Sequence, residues 1–180
     1  MSEIEQRASR EVYANPWLRL REDEIEYADG TTGSYAVVEK PDFVTVLPWE
    51  NDGFWLVQQY RYVVGSRQWE FPQGGWPQGH GGTREELAAA ELAEETGLRA
   101  RGWRRLGRLF AAYGYSAQAF DVFLATDLTP GPTRHEHSEQ GMVHRWFAMP
   151  ELRAMIRSGE FADSHSVAAL ALYDLHTAPS

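Results

Sequence analysis

Residues 74–98 read GGWPQGHGGTREELAAAELAEETGL, a glycine-rich loop running into a segment whose end is crowded with acid. Thr83 followed three residues later by Glu86 is the signature of a capping box, in which each side chain accepts from the other residue's backbone N–H. Gly97 suits the left-handed residue that follows a helix. Together they predict a helix from about Arg84 to Thr96. At about 100° per residue, Glu94 and Glu95 fall on either side of Glu91, so three carboxylates share one face. The opposite face carries Ala89, Leu92, Ala93 and Thr96, which predicts that this side lies on a sheet and the acids point outward or into a cleft. Like charges at i,i+4 cost a few tenths of a kcal/mol, and acids in the last turn oppose the macrodipole by roughly 0.3–1 kcal/mol each. Such an array calls for a cation, and hard divalent ions such as magnesium take one or two carboxylates together with substrate phosphates. A solvated acidic face is the plainer reading; the glycine loop in front weighs against it.

Working outward, 180 residues with 43% hydrophobic content are enough for one domain with a real core and a terminal elaboration. Phe43 to Leu47 and Phe54 to Tyr60 are β-rich runs joined by the polar turn 50–53, a predicted hairpin. A short strand over 68–71 leads into the loop; strands are expected at 102–110, 118–126 and 142–147, and helices at 150–156 and 164–175. Upstream, residues 1–16 read as a polar, frayed tail, and residues 17–40 as a hairpin turning at Asp29-Gly30. The expected division is therefore 1–40, tail and β hairpin extension, and 41–180, the main domain. Strands with one central and one terminal helix imply an α/β fold, a mixed sheet packed between helices.

A net charge of −9 argues against broad nucleic-acid binding, which rests on Lys and Arg neutralising phosphates. No apolar run of transmembrane length and no leader are present, and there are no cysteines, so the expectation is an untargeted cytoplasmic protein without membrane or nucleic-acid partners.

Glu91-Leu92-Ala93-Glu94-Glu95-Thr96-Gly97-Leu98 resembles the second half of the Nudix box, which reads Gly, five residues, Glu, seven residues, then Arg-Glu-U-x-Glu-Glu-x-Gly-U with U aliphatic. The first half departs from it: Ala90 stands in place of the arginine, Gly82 in place of the first glutamate, and the loop is two residues longer. The resemblance extends from Trp17 to Leu175. Gln59-Tyr60-Arg61-Tyr62 and Trp69-Glu70-Phe71-Pro72-Gln73-Gly74 look like the ADP-ribose pyrophosphatase branch.

What the resemblance implies is specific. It implies an α/β/α sandwich whose N-terminal β region exchanges contacts across a homodimer. It implies magnesium or manganese held by Glu91, Glu94 and Glu95 with a backbone carbonyl of Gln73 or Gly74, neutralising a diphosphate and acidifying a bound water. A glutamate in the loop before the strand at Met142 would deprotonate the attacking water, which selects Glu139, with Glu136 as substitute. Arg61 matches a position that contacts phosphate or the distal ribose. Glu70 is a candidate for a ribose hydroxyl, with an ion pair to Arg61 or Arg67 as the alternative. Tyr115 and Gln118 are the substrate-binding candidates in the loop 111–118.

The expected function is hydrolysis of the pyrophosphate bond of ADP-ribose or another nucleotide sugar. Two rivals stay open. Tyr113 replaces the proline usual after the box, and Tyr115 lies where Nudix enzymes for diadenosine polyphosphates carry tyrosines. Ala90 and Gly82 would also suit a nucleotide-binding module with weakened catalysis.

Overall fold

The computed structural model describes residues 3–76, 81–132 and 141–178. The elements in chain order are β1 (Ile4–Ala14), β2 (Arg19–Tyr27), β3 (Thr32–Glu39), β4 (Phe43–Glu50), β5 (Gly53–Arg61), β6 (Ser66–Glu70), β7 (Gln73–Gly74), α1 (Arg84–Thr96), β8 (Leu98–Arg99), β9 (Gly102–Phe110), β10 (Ala119–Thr126), β11 (Thr129–Pro130), β12 (Val143–Ala148), α2 (Met149–Ser158) and α3 (Ser164–Thr177).

Alternation along the central strands decides which helix packs where. In β4, Val44 and Val46 point to one face, where with Phe123 and Ala125 of β10 they meet Leu87, Ala88 and Leu92 of α1. Leu47 of β4, with Phe120, Val122 and Leu124 of β10, points to the other face. There they pack with Leu152 and Met155 of α2 and Ala169, Leu170 and Tyr173 of α3. The sheet runs β12-β5-β4-β10-β9, with β6 added to β5 and β7 to β4. Only the β4–β10 pair is parallel among these pairings, so the sheet is mixed. This is the expected α/β/α sandwich.

The β4–β5 hairpin closes through Asn51 and Asp52 at φ 48° and 63°, the doubly left-handed turn that matches strand twist. Helix α1 starts and stops where its caps dictate. Thr83 Oγ accepts from Glu86 N at 3.1 Å, Glu86 Oε2 accepts from Thr83 N at 2.7 Å, and Gly97 closes the helix at φ 71°. Thr83→Ala removes the acceptor for one otherwise unpaired N–H. It is expected to cost about 1 kcal/mol, read as a fall of about 2–4 °C in a thermal melt.

The N-terminal region differs from the frayed tail predicted. Residues 4–14 form an eleven-residue strand paired to β2, and β2 pairs in turn to β3, so a third strand joins the expected hairpin. Every residue of β1 is exposed. It therefore carries no alternating pattern, and cross-strand pairs such as Arg7–Glu26 and Arg10–Glu22 mark its register instead. Val38 N donates to Tyr115 O at 2.8 Å and Tyr35 Oη to Gly114 O at 2.8 Å, fastening β3 to the loop before β10.

Candidate active site

The helix is turned relative to the prediction. Its buried residues are Leu87, Ala88, Leu92, Glu95 and Thr96, whereas Ala89 is exposed and Ala93 half-buried. At about 100° per residue, Glu91 and Glu95 lie inside the arc from Leu87 to Thr96 rather than opposite it. Glu95 is 1% exposed. A carboxylate in that position is costly unless hydrogen bonds or cations compensate it. One compensation is Gln73 N, the first residue of β7, which donates to Glu95 Oε2 at 3.2 Å.

The next residue explains why glycine stands beside it. A Cβ on Gly74 would fall on the Oε1 and Oε2 atoms of Glu91. The strand and the carboxylate are therefore in closest approach. β7 is held in place by pairing with Val44 and Thr45 of β4. Four of the five metal-ligand candidates, Gln73, Gly74, Glu91 and Glu95, are thus joined in one small region, and Glu94 sits half-buried on the same helix.

Among the described residues, no three acidic or histidine side chains converge into a ready-made metal group. Glu95 turns beneath β7 while Glu91 leans on it. The donor set still fits a hard divalent ion, since such ions complete their shell with backbone carbonyls, waters and phosphate oxygens.

Arg61 and Glu70 meet across β5 and β6. Arg61 Nε lies 3.1 Å from Glu70 Oε2, and Nη2 lies 2.7 Å from both carboxylate oxygens. Glu70 is 2% exposed. Burial raises its pKa, outweighing the charge and hydrogen bonds of Arg61. Gln59 Nε2 and Gln73 Nε2 also donate to it, at 2.7 and 3.0 Å. Glu70 is thus the anchor of Arg61, the ion-pair alternative named above, and its bonds take Nε and Nη2 of the guanidinium. Among the described residues nothing bonds Nη1, and the side chain is 40% exposed.

The loop 111–118 is placed less directly. Gln118 Nε2 donates to Pro41 O at 2.6 Å, an architectural bond, while Tyr115 is exposed and its backbone holds β3. Glu139 and Glu136 lie outside the described residues. Arg84, close in sequence to the lost box arginine, is engaged elsewhere: its Nη2 binds Asp42 Oδ2 at 3.1 Å, and Nε lies 3.7 Å from Asp121. Arg105 and Arg108 bind the same buried Asp121. Burial pushes Asp42 up, but the Ala119 N–H and Arg108 outweigh it and hold its carboxyl below the ordinary range.

Two residues that sequence reasoning missed are Asp163 and Ser166. Asp163 caps α3, accepting from Ser166 N at 2.9 Å and Ser166 Oγ at 2.7 Å. Burial opposes its ionisation, but His165 and Ser166 bring its pKa down to about 2. The Asp-x-x-Ser spacing ahead of an apolar run is a legible cap; its reach into the site is not.

A glycine strand backed on helix carboxylates, set in an α/β/α sandwich, is the arrangement that the resemblance to Nudix hydrolases implies. Residues 40–170 match the NUDIX domain, and residues 4–38 match the nucleoside diphosphate sugar hydrolase N-terminal domain. The chain belongs to the NUDIX family and is a Nudix hydrolase. A relative named ADP-ribose pyrophosphatase, from Mycobacterium tuberculosis, is 31% identical over 165 residues, covering 91% of this chain and 79% of the relative. Another of that name, from Bacillus subtilis, is 24% identical over 173 residues, covering 95% and 92%. A crystal structure described as an ADP compounds hydrolase superposes with a TM-score of 0.85 at 20% identity, covering 97% of this chain and 94% of that one, and shares the fold.

Proposed function

We propose that the protein hydrolyses the pyrophosphate bond of ADP-ribose or a closely related nucleotide sugar, using magnesium or manganese, to give AMP and the sugar phosphate. The observation that carries it is the packing of Gly74 against Glu91 with Glu95 buried beneath Gln73 N. The names of the two relatives and the match of residues 4–38 support the choice of substrate class.

Glu91, Glu94 and Glu95, with backbone of Gln73 or Gly74, would hold the ions. When bound, they supply charge neutralisation of the diphosphate and a more acidic water. The chain does the rest. Arg61, its fork fixed by Glu70, presents Nη1 to a phosphate or ribose oxygen. Glu139 takes the proton from the attacking water; the new bond is oxygen to phosphorus, and the bond broken joins that phosphorus to the bridging oxygen. The cysteine-free sequence fits a cytoplasmic setting.

A homodimer built through the N-terminal sheet is part of the same reading. Ile4, Val12, Tyr13, Trp17 and Tyr27 are exposed there, more large apolar side chains than a solvated sheet needs. Light scattering of the full chain and of one lacking residues 1–40 checks it, with a dimer expected only for the former.

A screen of ADP-ribose, other nucleotide sugars and diadenosine polyphosphates with either metal tests the substrate. ADP-ribose is expected to give AMP and ribose 5-phosphate with the highest kcat/KM. Preference for diadenosine polyphosphates would move the assignment to the exposed Tyr113 and Tyr115. Calorimetric binding with no turnover under any metal would leave only a binding role.

A further inference from the structure

The segment 70–74 carries both halves of the site: Glu70 fixes Arg61, Gln73 N meets Glu95, and Gly74 meets Glu91. Gln73 and Gly74 of this segment pair with β4, and Pro72 O accepts from Val46 N of β4 at 2.9 Å, which leaves the Phe71 N–H to a second anchor. The bend is held from the far side of the sheet. Phe71 N donates to Ser166 Oγ at 2.9 Å, and Ser166 Oγ donates in turn to Asp163 Oδ2. Ser166 is fully buried, so the Phe71 N–H has no water to replace it. From the same carboxylate oxygen a second, longer contact of 3.4 Å reaches Gln73 Nε2, which also donates to Glu70.

We propose that Asp163 and Ser166, at the start of α3, are positioning residues for the metal carboxylates, acting through Phe71 and Gln73. A capping residue would need only the Ser166 N–H. Here the hydroxyl of Ser166 is shared with the bend, and the carboxylate of Asp163 orients that hydroxyl: as an acceptor it forces the O–H toward itself, which leaves the Oγ lone pairs to receive Phe71 N. The amide of Gln73 is oriented in the same way, since its NH₂ faces two carboxylates, Glu70 and Asp163. The placement of β7 against α1 is therefore set from α3 as well as by its pairing with β4. The inference rests on Glu91 and Glu95 being the metal carboxylates.

Manganese titration of the substrate-free protein, read by the electron paramagnetic resonance signal of the free ion, tests it alongside kinetics and thermal melts. Ser166→Ala and Ser166→Cys are each expected to weaken manganese binding about 10- to 100-fold, the scale of losses on removing groups that orient ligands. The manganese concentration for half-maximal rate should rise in proportion. Ser166→Cys keeps the buried volume and the backbone N–H that Asp163 caps while replacing the hydroxyl by a weak acceptor, so it carries the test if Ser166→Ala does not fold. Lower melting temperatures with unchanged manganese binding in both variants would overturn the positioning role and leave a structural cap. Glu95→Gln in the same titration separates the two levels: binding as tight as wild type there would overturn the metal assignment itself, and this inference with it.

Discussion

Glu95→Gln is expected to lower kcat/KM for ADP-ribose by about two to three orders of magnitude while leaving the metal-free protein at least as stable as wild type. The rate loss follows from removing one charge from the proposed ion site, since divalent ions supply several kcal/mol of transition-state charge stabilisation. The stability argument runs the other way. Glu95 is 1% exposed, and a buried carboxylate is among the costlier groups to keep in an interior. Glutamine keeps an oxygen in place to accept from Gln73 N, so the helix–strand contact survives and the desolvation cost falls. Magnesium should raise the melting temperature of the wild type by mass action and do little for the variant. A variant with wild-type kcat/KM, or one stabilised by magnesium to the same extent, would remove Glu95 from the mechanism.

The same residue shows where the sequence stops being readable. The bounds of α1 are legible because Thr83, Glu86 and Gly97 act on neighbours within a few residues. Its rotation is not, because rotation is decided by the sheet it meets. Counting small apolar residues selects Ala89 and Ala93 for the buried side. The sheet takes Leu92 and Thr96 as expected, but Leu87 and Ala88 in place of Ala89 and Ala93, and accepts Glu95 among them where β7 offers a backbone N–H. Two-faced strands such as β10, whose residues from Ala119 to Ala125 are all buried, are found by their apolar run. β1 is invisible to the same method because neither of its faces is buried; its partner lies beyond a turn, and its pairing rests on backbone bonds and charged cross-strand pairs. The contribution of α3 to the site needs a contact between residues 71 and 166, far apart in the chain, which no local pattern encodes.

Gly74→Ala is the second large effect, and it separates function from fold. Gly74 does not require a left-handed backbone; what excludes a side chain is the Glu91 carboxylate. That carboxylate is the far end of a flexible side chain, so it can swing aside at little cost. Alanine also suits a strand better than glycine, by roughly 0.5–1 kcal/mol. The melting temperature should therefore change by no more than about 2–4 °C in either direction. With Glu91 in its proposed metal-binding role, displacing its carboxylate is expected to lower kcat/KM and metal affinity by about 10- to 100-fold. Glu91→Asp draws the carboxylate back by one methylene and makes room for the added methyl. In that background Gly74→Ala should cost much less than in the wild type, a coupling that a double-mutant cycle reads directly. Additive losses would mean that the methyl acts through the backbone of β7 instead, and wild-type metal dependence in Gly74→Ala would show that the close approach of strand and carboxylate plays no part in catalysis.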